Sequence, residues 1–149
     1  MLTRPTTDQI LNGVADELTT TVLPDVQSEP VRVMLGMMDQ LLRGCAQRAA
    51  HEIAWMADET DAIVVAVQPF AGEPEVAAAL DALGAAPVSL HLAEAAARYH
   101  LASEVLAAAL EAAFTNGDDE GRAALFALLR ARNATELQII GQLNLVGRG

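Results

Sequence analysis

Residues 31–56 read VRVMLGMMDQLLRGCAQRAAHEIAWM, and their apolar spacing decides the fold class. Val31, Met34, Leu35, Met38, Leu42, Cys45, Ala49, Ile53 and Met56 recur mostly at intervals of three and four. That is the period of one helix face, sustained here for about seven turns. Ser28-Glu29-Pro30 stands just before it and supplies a start, with proline in the first turn. The stripe predicts a long helix with its apolar face, Cys45 included, in a core.

Working outward, the remaining punctuation is helical as well. Thr6 and Gln9 have capping-box spacing, and Ile10, Val14, Leu18 and Val22 carry a first helix to Pro24. Beyond the long helix, Ile63-Val-Val-Ala-Val67 is the one β-branched run where a strand could compete. No second such run is present to pair with it, so it is assigned to the frayed or buried end of helix two. Residues 69–74 form a loop, and a short helix follows to about Leu83, closed by Gly84. Ser89 caps an alanine-rich helix to Phe114 or Thr115, ended by Asn116-Gly117. Asp118 or Asp119 starts a fifth helix to about Arg132, and Asn133 to Glu136 opens a last one through Leu145. The prediction is all-α: one domain over residues 1–149, a bundle of five to six helices, mostly antiparallel.

Composition agrees and excludes several chemistries. Of 149 residues 52% are hydrophobic and only 3% aromatic, so the core must be built from Ala, Leu, Val and Met. A net charge of −11 repels phosphate backbones and anionic lipid, which argues against nucleic-acid and membrane partners. All nine basic residues are arginine, which excludes a Schiff-base or P-loop lysine. One cysteine cannot make an internal disulfide or a zinc–thiolate cluster. The N-terminal stretch lacks the apolar run of a secretory signal, and a cytoplasmic protein is expected.

Two stretches hold the candidate functional residues. Within one helix Cys45 and His51 lie about 120° apart, too far round to form a thiolate–imidazole pair. Cys45 therefore reads as a small core residue and His51 as a solvent-facing imidazole. Arg48, Glu52, Trp55 and Glu59 share a face and flank the apolar stripe beside Met37 and Leu41. Arg48 and Glu52 are an i,i+4 ion pair. Two readings stay open: a helix-edge pair with a stacked tryptophan in the core, or a docking surface of Met37, Leu41, Arg48, Glu52 and Trp55.

In the alanine-rich helix, His91, Glu94 and Arg98 share one face, and His100, Glu104 and Glu111 another. Metal-binding bundles use Glu-x-x-His on two helices, and the chain has none. Solvated faces are the better reading, and no catalytic, cofactor or metal residue is assigned. Nucleotide, hydrolase and C-x-x-C signatures are absent.

Arg4-Pro5-Thr6, then Leu11, Val14, Leu18 and Val22-Leu-Pro24, then Leu41-Leu42 and Arg48 through Glu52, carry a resemblance. It continues into Leu106 to Gly117 and Leu137 to Leu143. The chain resembles a family of small bacterial helical proteins encoded beside an aminoglycoside-phosphotransferase-like kinase and an acyl-CoA dehydrogenase. It departs from that family between Ile63 and Pro87. The resemblance implies no catalytic residues, only a setting of small-molecule phosphorylation or acyl-CoA metabolism.

The expectation is thus a non-enzymatic accessory or interaction protein, partnered by such a kinase or dehydrogenase or by a second copy of itself. The alternative is a ligand- or metal-binding bundle using the histidines and glutamates of the two long helices. An interface predicts an exposed apolar patch around Trp55. A binding site predicts a cavity on which His51, His91 or His100 converge.

Overall fold

The computed structural model describes residues 4–140. Helix α1 (Thr7–Glu17) starts at Thr6, whose backbone N–H donates to Gln9 Oε1 at 3.1 Å, one half of a capping box. After Glu17 the helix widens into a π-helical stretch, Leu18–Val22. The cause is local: Thr19 Oγ1 donates to the carbonyls of Ala15 and Asp16, and Thr20 Oγ1 to that of Asp16. Threonine hydroxyls bonding back into the preceding turn disturb the regular ladder. A 3-10 turn, Leu23–Asp25, ends the segment at Pro24.

Helix α2 runs from Glu29 to Ala66, 38 residues, as the periodicity of residues 31–56 requires. The β-branched run closes α2 rather than forming a strand, and of the two ends expected it is the buried and not the frayed one: Ile63 and, just past the helix, Val67 are wholly buried. A 3-10 turn at Gln68–Phe70 leads to α3 (Pro74–Ala85), which continues one residue past Gly84 rather than stopping at it. Helix α4 is Leu92–Thr115, with His91 and not Ser89 at its N-cap position. Ser89 acts one step earlier, its Oγ accepting the His91 N–H at 3.1 Å.

The end of α4 is the C-terminal glycine motif predicted. Gly117 has φ 67°, Asp118 N–H reaches Ala113 O at 3.0 Å, and Gly117 N–H reaches Phe114 O. Helix α5 then runs from Asp119 to Ile140, its start capped by Asp118 Oδ1 on the Gly121 N–H at 2.8 Å. The fifth and sixth predicted helices are therefore one. Asn133-Ala-Thr-Glu136 has start-signal spelling, but nothing there breaks the ladder, and no Gly or Pro lies between Ala123 and Ile140. Leu145 lies outside the described residues. The fold is all-α, with no strand among the described residues.

By contacts the chain divides into two compact units, residues 1–52 with 134–149, and residues 53–133. The second holds the apolar core: Ile63 of α2 and Val67 just after it, Phe70, Val76 and Leu83 around α3, Val105, Leu106 and Ala109 of α4, and Leu125 of α5. Helix α3 packs on α4, whose Ala102, Ala109 and Ala113 are buried in this core. The first unit is different. Its buried apolar side chains among the described residues are Ala15 and Ala46 alone. Within it α5 crosses α2 at Gly44, where a Cβ would lie 2.8 Å from the Ile139 carbonyl oxygen.

Candidate functional site

The apolar stripe that predicts α2 does not stay in a core over its whole length. In the first unit Val31 is 38% exposed, Met34 50%, Met38 45%, Met37 57% and Leu41 68%. Cys45 and Ala49 are exposed too, so the core assignment of Cys45 is overturned. The reason is tertiary: a helix shows one apolar stripe whether or not another element covers it, and here, among the described residues, only Ala15 and Ala46 are fully buried, while Leu35 and Leu42 of the stripe are partly covered. Met37 and Leu41 lie out in solvent beside that stripe.

Charges around this face are already paired within the unit. Arg43 meets Asp16 at 2.9 Å and Asp39 at 3.0 Å, and Arg48 Nε donates to Glu52 Oε1 at 2.8 Å. Asp16, then Asp39, hold the Arg43 guanidinium above its ordinary pKa, and Glu52 does the same for Arg48. The i,i+4 pair is therefore present as predicted, at the surface. Trp55 is half-buried, and the exposed apolar side chains gather at residues 31–41 rather than around it.

Glu59, the fourth residue of that predicted face, belongs instead to a polar cluster in the second unit. Its Oε2 accepts from Tyr99 Oη at 2.7 Å and its Oε1 from Arg132 Nε at 2.6 Å. Arg132 also donates to Ser103 Oγ at 3.2 Å and lies over the Tyr99 ring, 5.3 Å from its centre. Ser103 Oγ in turn donates to the Tyr99 carbonyl. One carboxylate thus ties α2, α4 and α5 together. Sequence spacing could not pair residues 40 and 73 positions apart.

A cavity of about 170 Å³ opens in the same unit. Ile53, Met56, Thr60 and Asp61 of α2 form one wall, the 88–90 segment another, and Ala95 and Arg98 of α4 the third. Thr60 is buried and its hydroxyl donates to Met56 O at 2.7 Å, so it is spent on its own helix. Arg98 Nη1 donates to Leu83 O at 2.7 Å and Ala86 O at 3.1 Å, satisfying carbonyls at the end of α3.

None of the three histidines lines the cavity. His51 and His91 are exposed, and exposed His100 stands 3.5 Å from Glu104 on its own helix. Among the described residues no group of three or more His, Cys, Asp or Glu could hold a metal ion. No described helix is long and apolar enough to cross a membrane. No family model, curated protein or solved structure matches the chain.

Proposed function

We propose that this is a non-enzymatic interaction protein whose docking surface is the methionine-rich face of α2 around Met34, Met37, Met38 and Leu41. One observation carries the reading. Among the described residues the first unit buries only the apolar side chains of Ala15 and Ala46, while these four stand 45–68% exposed. Contiguous apolar surface rimmed by polar groups marks an interaction site. Unbranched methionine adapts to an opposing surface at small cost.

The occupant is a second copy of the chain. A unit with so thin a core gains most from a cover present whenever the chain is made, and burial contributes about 25 cal/mol per Å². The arginines at the rim, Arg43 and Arg48, are paired internally, so two such faces meet without unpaired like charges. The accessory role beside a kinase or acyl-CoA dehydrogenase that the resemblance suggests would be exercised by this dimer.

Native mass spectrometry of the full chain tests the reading. A dimer is expected, converted to monomer by Met37→Glu with Leu41→Glu and with helical circular dichroism unchanged. A wild-type monomer at micromolar concentration overturns the assignment of a second copy. A dimer untouched by the double substitution moves the interface elsewhere.

A further inference from the structure

We infer that the cavity beside Arg98 is a binding site for a small apolar zwitterion, the chemical class of a free aliphatic amino acid. Size sets the first limit. At about 170 Å³ the cavity is well below the ~300–1,000 Å³ of pockets that take drug-sized ligands. A nucleotide or a coenzyme does not fit.

Charge sets the second. Arg98 and Asp61 line the same cavity and form no ion pair with each other. The Arg98 fork is held by Nη1 on the Leu83 and Ala86 carbonyls. Its Nε and Nη2 hydrogens make no other hydrogen bond among the described residues, and neither does the Asp61 carboxylate. A pre-oriented guanidinium is well suited to a carboxylate. A ligand carrying only that carboxylate would be opposed by Asp61, and a lone cation would be opposed by Arg98. A ligand with both charges satisfies both walls.

The third limit is the apolar lining. Ile53 and Met56 line one side, and Leu90, 84% exposed, flanks another. An aliphatic side chain of a few carbons laid there covers part of the exposed Leu90 surface, which contributes to the driving force.

The test titrates the full chain with leucine, 4-methylpentanoate and 3-methylbutylamine by saturation-transfer NMR. The last two each keep the leucine skeleton and one of its charges. Leucine is expected to bind saturably in the millimolar range. Each monovalent analogue is expected to bind more weakly by about fivefold, the upper end for one exposed ion pair. Asp61→Asn, at an exposed position, is expected to leave helical circular dichroism unchanged and to erase the preference for leucine over 4-methylpentanoate. Arg98→Gln is expected to weaken leucine by about fivefold and to leave 3-methylbutylamine unweakened. If that variant loses its fold, Asp61→Asn alone decides. Absence of saturable leucine binding overturns the site. Equal binding of 4-methylpentanoate and leucine to wild type, or an unaltered preference in Asp61→Asn, overturns the zwitterion assignment.

Discussion

Glu59 and Arg132, 73 residues apart, form a 2.6 Å ion pair that joins α2 to α5, with both side chains more than 70% shielded from water. Because Tyr99 shares the same carboxylate, the pair cannot be altered without disturbing α4 as well. Removing one partner leaves the other charge half-buried. Glu59→Gln is therefore expected to cost about 1–3 kcal/mol. Thermal denaturation of Glu59→Gln, Arg132→Met and the double variant checks this. The double variant should be less destabilised than the sum of the singles; strict additivity would mean the two side chains act independently.

The core of the second unit should respond as a packed interior does. Ile63 and Leu125 are wholly buried in the same cluster. Truncating either to alanine is expected to cost about 2–5 kcal/mol. Met34→Ala, half-exposed in the first unit, should cost far less in a monomeric background. Urea unfolding curves compare the three, and equal losses would contradict the uneven distribution of burial.

Gly44 offers a sharper local probe. Mid-helix, alanine is normally preferred over glycine by about 1 kcal/mol. Here the added Cβ would sit 2.8 Å from the Ile139 carbonyl oxygen, so the sign should invert. Gly44→Ala is expected to destabilise by about 1–3 kcal/mol through overpacking. At Gly36 nothing lies within 4 Å of the equivalent position, and Gly36→Ala should stabilise. Paired melting curves of the two variants separate the helix crossing from propensity.

Cys45 is exposed, so its thiol should react stoichiometrically with a disulfide reagent in native buffer, without denaturant. Protection released only by unfolding would place it in a core or under a partner. Dilution to the monomer distinguishes those two cases.

What the sequence by itself determined is local. The capping at Thr6 and Gln9, the Gly117 terminus and the helical period of residues 31–56 depend on residues within about one turn of each other, and all three appear where the spacing puts them. The all-α class follows from the same signals. The start signal at Asn133 failed because a cap spelling is permissive: it favours a boundary only where the preceding helix has reason to stop.

Only the tertiary structure decided which faces are covered. Met34 and Ile63 are alike as apolar residues of one helix, yet one is half-exposed and the other buried, because burial depends on what packs opposite. Glu59 finds Tyr99 and Arg132, and Arg98 finds the Leu83 and Ala86 carbonyls, through contacts between helices that no periodicity within a helix encodes. The cavity between Asp61 and Arg98 belongs to the same class, a product of loop path and helix packing.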